Sequence, residues 1–110
     1  MLVNLIRNAI KYSNRARPVR WIRVSFRRHA AERVWWVEVS DNGLGIPAEF
    51  HGSIFHESVR AHPDRADGTG RGLIIVRQEV EALGGRIEFS SEPGVGTTFR
   101  FSLREAGAPD

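Results

Sequence analysis

The chain has no cysteine, a single methionine and a single tyrosine among its 110 residues, and no apolar run near the length of a membrane span. The absence of cysteine excludes a disulfide framework and any thiolate metal site, and it is compatible with a reducing cytoplasm. A spanning helix needs about 18 consecutive apolar residues, and nothing at the start reads as a signal peptide. The expectation is a cytoplasmic domain without membrane contact of its own, whatever anchors the parent protein. Lysine is almost missing too: of sixteen basic residues fifteen are arginine, and the one lysine is Lys11.

Hydrophobic content of 41% and charged content of 26% are those of a soluble globular protein, and 110 residues suffice for one domain with a modest core. The net charge of +3 raises nucleic acid as a partner. The basic residues, however, are spread along the chain and interleaved with thirteen acidic ones, the pattern of a solvated surface rather than a DNA footprint. No nucleic-acid partner is expected.

From Leu2 to Ser13 the pattern has helical period. Leu2, Leu5, Ile6, Ala9 and Ile10 fall on one side, while Asn4, Asn8, Lys11 and Tyr12 share an arc of roughly 100° on another. The helix lacks an N-cap signal, so the chain reads as a fragment cut from something longer. After a loop over 14–18, Ile22, Val24 and Phe26 alternate with polar residues as a strand with one buried face, and 34–40 form a second strand paired with it. Gly43, Gly45 and Pro47 forbid its continuation past Asp41.

Residues 48–72 predict a long loop with Ile54-Phe55 as a short apolar anchor. Leu73, Val76, Val80 and Leu83 then have helical spacing, stopped by Gly84-Gly85. Two antiparallel strands follow, one with Ile87 and Phe89, the other with Phe99, Phe101 and Leu103, around a turn at Glu92-Pro93-Gly94. Residues 1–105 form the expected domain and 106–110 a frayed tail. Helix, hairpin, loop, helix, hairpin is most simply a two-layer α/β sandwich with helices on one face of a sheet.

Three segments carry chemistry. On the first helix Asn8 offers a neutral amide oxygen suited to Mg²⁺ that is also held by phosphates, Lys11 a point charge for a phosphate, and Tyr12 a ring beside a base. Asp41, ending a strand, can accept a hydrogen from the exocyclic amine of adenine, whereas guanine would turn a carbonyl oxygen toward it. Gly43 and Gly45 allow a tight turn and close backbone approach. In Gly68-Thr69-Gly70-Arg71-Gly72-Leu73, glycines before a helix leave N–H groups free to meet phosphate. That segment is neither a P-loop nor a dinucleotide fingerprint. Each segment alone also fits a plainer role: a solvated helix face, a capped turn, a flexible linker. His29, His51, His56 and His62 lack metal-ligand spacing and are assigned to surface or loops, and the three tryptophans to core or hairpin cover.

As a set, the segments resemble the N box, G1 box and G2 box of the ATP-binding catalytic domain of bacterial two-component sensor histidine kinases. That family belongs to the superfamily of gyrase, heat-shock chaperone and mismatch-repair ATPases. The resemblance runs from Asn4 to Leu103 and includes the closing hairpin. It implies a Bergerat-type fold with a mixed sheet, and ATP and Mg²⁺ as ligands. It also implies that Asn8 holds the metal, Asn4 supports that face, Lys11 meets a phosphate, Tyr12 borders adenine and Asp41 binds its amine. Gly43 and Gly45 would line the base pocket, and Gly68, Thr69, Gly70, Gly72 and Leu73 would close over the triphosphate, with Arg60, Arg65 and Arg71 as further lid candidates. Where the family often has Phe-x-Pro-Phe in its F box, this chain has Phe55-His56-Glu57-Ser58.

The hydrolysing branches of the superfamily have Glu at the position matching Asn4, and an amide cannot act as a general base, so the chain looks built to hold ATP for transfer. The implied partners are a His-bearing dimerisation domain, absent from this sequence, and through it a response regulator. Without that domain no turnover is expected. The rival readings are a catalytically inactive nucleotide-binding or partner-docking module of the same fold, a hydrolysing ATPase, and a basic nucleic-acid binder. Self-association through the shortened first helix is a further expectation.

Overall fold

The computed structural model describes residues 1–56 and 72–106. Helix α1 covers Leu2–Lys11, and its side toward the sheet buries Leu5 and Ala9. Tyr12, at φ −105° and ψ 27°, leaves the helical region and ends it. Strands β1 (Ile22–His29) and β2 (Val34–Asp41) form a hairpin whose turn places Arg33 at φ 54°. A single 3₁₀ turn, Ala48–Phe50, follows Pro47. Helix α2 covers Gly72–Ala82 and buries Val76 and Val80.

Two glycines end α2 by a specific geometry. Gly84 sits at φ +77°, its N–H meets the Glu81 carbonyl, and the Gly85 N–H meets the Val80 carbonyl. This is a Schellman cap, which satisfies carbonyls that the helix end leaves open. Strands β3 (Ile87–Glu92) and β4 (Gly96–Arg104) then pair across a turn with Pro93 second and Gly94 third at φ +78°, as a type II turn requires.

The sheet order is β1-β2-β4-β3. All three pairings are antiparallel, so among the described strands the sheet is not mixed, although the α/β sandwich is the one expected. Register decides which residues share a face. Val37 lies opposite Phe101 and Val39 opposite Phe99, and these four form the core floor. Leu5 from α1, Val76 and Val80 from α2, and Ile54 cover it. Burying a Leu, Val or Phe side chain stabilises by about 1.5–3 kcal/mol each.

Alternation in β1 does not produce the expected buried face. Val24 packs against the core, but Phe26 is 62% exposed, and Ile22 is also among the exposed apolar residues. On α1, Ile10 is 60% exposed rather than buried, and Leu83 beyond α2 is exposed as well. The reason is position: β1 is an edge strand, Ile10 flanks α1 toward that edge, and among the described residues no element covers either. On the opposite face of the sheet Trp36 stacks between Arg86 and Arg100, whose guanidinium carbons lie 5.3 and 5.0 Å from its ring. It is cover for a hairpin, as expected. Among the described residues no helix is long and apolar enough to cross a membrane.

Candidate functional site

Asp41 is the last residue of β2, held in the ladder opposite Ile22 on one side and Thr97 on the other. Its carboxylate accepts the Gly43 N–H at 2.8 Å, and the Thr97 N–H also favours its charged form. Burial raises the carboxyl above the usual aspartate value, and the two N–H groups only partly oppose that. A partly desolvated carboxylate at a strand end is primed to gain from a donor that arrives with a ligand.

The chain after Asp41 folds directly onto the end of α1. The Leu44 N–H donates to the Tyr12 carbonyl at 3.0 Å, and a Cβ on Gly43 would stand 2.6 Å from that same oxygen. Glycine at 43 is therefore demanded by contact with α1. At Gly45, φ +74° and a Glu92 carbonyl 2.3 Å from any added Cβ make the same demand from the side of β3. Both glycines are expected to let backbone approach a base; the close approach seen at each is to the chain's own backbone.

Through this junction the structure brings Tyr12 beside Asp41 and Gly43, with Asn8 and Asn4 one and two turns up the same helix. Asn4, Asn8, Lys11 and Tyr12 are all half-buried. The Lys11 ammonium lies 6.0 Å from the centre of the Tyr12 ring. A cavity of about 250 Å³ also opens at Asp41, lined by Ala9, Ile10, Ser13, Trp21, Asn42 and Gly43 among others. It lies between α1 and the start of β1; Asn4, Asn8, Lys11 and Tyr12 do not line it.

At the other side of the site, Gly72 opens α2 and Leu73 packs on the core. Gly68, Thr69, Gly70, Arg71, Arg60, Arg65 and His62 lie outside the described residues. The chain before them is well anchored: the Phe55 ring meets Phe89 and Phe99 edge-on at 5.6 and 6.1 Å, and Arg77 Nε donates to the Phe55 carbonyl at 2.7 Å.

Several supporting residues escaped the sequence reading. Ser91 accepts the Ile46 N–H at 2.8 Å and bonds the Thr97 hydroxyl at 2.7 Å, joining the turn after Asp41 to β4. The Asn42 amide donates to the Val19 carbonyl and accepts from the Trp21 N–H, tying the α1–β1 loop to β2. His51 lies in a turn, as expected, but is held there, since Nε2 bonds the Ile46 carbonyl at 2.7 Å and its ring meets Phe89 edge-on. Only contacts across the sheet reveal these roles, although the Asn in Asp41-Asn42-Gly43 could have been suspected of bonding backbone as turn asparagines do.

Among the described residues no group of three or more His, Cys, Asp or Glu could hold a metal. A divalent cation here would need ligand oxygens from a bound phosphate chain, with one or two protein oxygens. A half-buried amide such as that of Asn8 suits Mg²⁺ on those terms.

A helix face of amides and one ammonium, joined by a backbone bond to a half-buried strand-end carboxylate over an antiparallel sheet, suits an α/β nucleotide-binding domain. The chain belongs to the family described as histidine kinase-, DNA gyrase B- and HSP90-like ATPases, which matches residues 1–107. Within that family it stands with the ATP-binding modules of sensor histidine kinases. It is 40% identical over 105 residues to the adaptive-response sensory kinase SasA of Parasynechococcus marenigrum, covering 94% of this chain and 26% of that protein. The structure superposes on the mycobacterial sensor histidine kinase MprB with a TM-score of 0.78 at 25% identity, covering 93% of this chain and 68% of the other. Full-length ShkA, solved in complex with AMPPNP, matches with a TM-score of 0.76 at 26% identity over 93% of this chain and 20% of its own. The chain thus spans about a quarter of the length of the relative SasA.

Proposed function

We propose that this domain holds Mg-ATP and presents the γ-phosphate to a histidine imidazole on a separate dimerisation domain, which passes it to a response regulator. The observation that carries the reading is the Leu44–Tyr12 backbone bond, which sets the amide face of α1 beside Asp41. Asp41 takes the adenine amine, Tyr12 borders the base, Gly43 and Gly45 shape the turn below it, and Lys11 meets a phosphate. Asn8, supported by Asn4, holds Mg²⁺, which when bound screens the negative charge between the phosphates. Gly68, Thr69, Gly70, Gly72 and Leu73 meet the triphosphate, with Arg60, Arg65 and Arg71 as further candidates. ShkA in complex with AMPPNP supports an adenine nucleotide at this fold.

In the reaction an imidazole nitrogen attacks the γ-phosphorus, the bond from that phosphorus to the β,γ-bridging oxygen breaks, and ADP leaves. The domain contributes position and charge rather than a proton acceptor, because Asn4 stands where hydrolysis needs a base. Activity resides in the cytoplasm, where ATP is available.

A calorimetric titration with Mg²⁺ and a non-hydrolysable ATP analogue, run beside the GTP equivalent and an Asp41→Ala variant, tests the site. Adenine-selective binding lost in the variant is expected; equal binding of both nucleotides would sink the assignment of Asp41. Radiolabelled phosphate should then pass from ATP to a supplied His-bearing domain, without steady phosphate release by this chain alone. If binding occurs and transfer fails, the domain is a nucleotide-binding module without catalysis.

A further inference from the structure

A closed ring of hydrogen bonds joins three separate parts of the chain beside Asp41. Arg17 Nη2 donates to the Gly94 carbonyl at 2.7 Å, with the Val95 carbonyl at 3.4 Å. The Gly94 N–H donates to the Leu44 carbonyl at 2.8 Å, and the Leu44 N–H donates to the Tyr12 carbonyl at 3.0 Å. Tyr12 precedes Arg17 by only a short stretch of loop, so the backbone closes the ring. Asn14 stiffens that stretch: its side-chain oxygen accepts the Ala16 N–H and its carbonyl accepts the Arg17 N–H, both at 3.0 Å.

The ring bears on Asp41 through one shared segment. The carboxylate is bonded to the Gly43 N–H, so its orientation follows the turn over 43–45. Leu44, in the middle of that turn, is fixed by both its backbone groups, one to α1 and one to Gly94. Gly94 in turn sits in the β3–β4 turn, whose carbonyls face the Arg17 guanidinium. A hydrogen bond to a charged donor is among the stronger ones available to a backbone carbonyl.

We propose that Arg17 is a specificity-determining positioning residue: through Gly94 and Leu44 it fixes the turn that orients Asp41, and so sharpens discrimination between an amine-bearing and a carbonyl-bearing purine. This rests on the nucleotide reading above. Selecting adenine over guanine depends on holding two acceptors face to face when the wrong base enters. A turn free to tilt lets the carboxylate rotate away from a guanine carbonyl, so the penalty for the wrong base falls. In this proposal Arg17 acts through the turn and not on the base.

The test is titration of the wild-type chain, Arg17→Ala and Arg17→Lys with non-hydrolysable ATP and GTP analogues in Mg²⁺, alongside amide exchange at Leu44 and Gly94. In Arg17→Ala the preference for the adenine nucleotide is expected to narrow by roughly three- to ten-fold, the effect of one lost hydrogen bond, and both amides to exchange faster. Arg17→Lys, which can still donate to Gly94, should restore part of the preference. Equal weakening of both nucleotides in Arg17→Ala, with the preference intact, would show a plain structural tether and overturn the proposal. If Arg17→Ala does not fold, Arg17→Gln, which retains a donor without the charge, carries the same comparison. A wild-type chain that binds neither nucleotide defeats the nucleotide reading and this one with it; a selective wild type with an equally selective Arg17→Ala defeats this one alone.

Discussion

The carboxylate of Asp41 accepts the N–H of Gly43 at 2.8 Å, so the group that would read a base also closes its own turn. Recognition and local folding therefore share one side chain. The Thr97 N–H nearby also favours its charge, and the burial that raises its carboxyl is the cost of placing a charge at a strand end beneath a helix.

Replacing Asp41 with Asn should separate these two roles. The raised folded-state value means the native protein binds protons more readily than the unfolded chain. That contribution favours the fold at low pH and is lost as pH rises from the ordinary aspartate range through the raised value. Asp41→Asn should therefore unfold at a higher temperature than wild type at pH 7 without nucleotide, while binding ATP at least about ten-fold more weakly. Thermal melts from pH 4 to 8 and a parallel ATP titration check both; an equally stable variant would mean that the turn needs the carboxylate charge.

Gly45 has no tolerance for a side chain. Its φ of +74° disfavours any L-residue, and a Cβ would stand 2.3 Å from the Glu92 carbonyl, a backbone atom that cannot swing aside. Gly45→Ala should cost at least about 2 kcal/mol, which in a domain of this size lowers the melting temperature by roughly 10 °C. Gly72→Ala is the contrast, because among the described residues a Cβ there meets nothing within 4 Å, and little loss of stability is expected.

Arg77 ties α2 to the segment before it through the Phe55 carbonyl at 2.7 Å, and pairs with Glu81 at 2.8 Å. Arg77→Ala should destabilise by about 1 kcal/mol, mostly from the carbonyl bond, because the largely exposed ion pair contributes little. Glu81→Ala should leave stability nearly unchanged. Urea denaturation of the two variants distinguishes the contributions, and equal losses would assign the effect to the ion pair instead.

Glu105 closes the C-terminal end of the sheet against β1, held by Arg28 and, at 3.7 Å, by Arg33. The Arg28 guanidinium keeps its carboxyl below the ordinary glutamate value. The contribution to stability is thus present above the ordinary value and disappears as pH falls through the lowered one. Glu105→Gln should reduce the acid-side loss of stability, an effect weakened by salt because the pair faces solvent. Melting curves between pH 2 and 6 at two salt concentrations provide the check.

Much of this protein could be determined from the chain alone. Helical spacing in 2–11 and 73–82, alternation in 22–27 and 99–103, the Val- and Trp-rich run at 34–40, and Gly or Pro at the turns are local signals, and the structure has elements at those places. The segments around Asn8 and Asp41 stand out in the sequence because each depends on residue types at short spacing, and the structure joins them through the Leu44–Tyr12 backbone bond. Tertiary structure alone decided what crosses between segments: that β4 lies between β2 and β3, that β1 is an edge with Phe26 exposed, and that Tyr12, Leu44, Gly94 and Arg17 form one ring. Periodicity states which residues share a face. It says nothing of whether another element covers that face, or of which distant backbone group a given N–H will meet, because both depend on how the whole sheet is ordered.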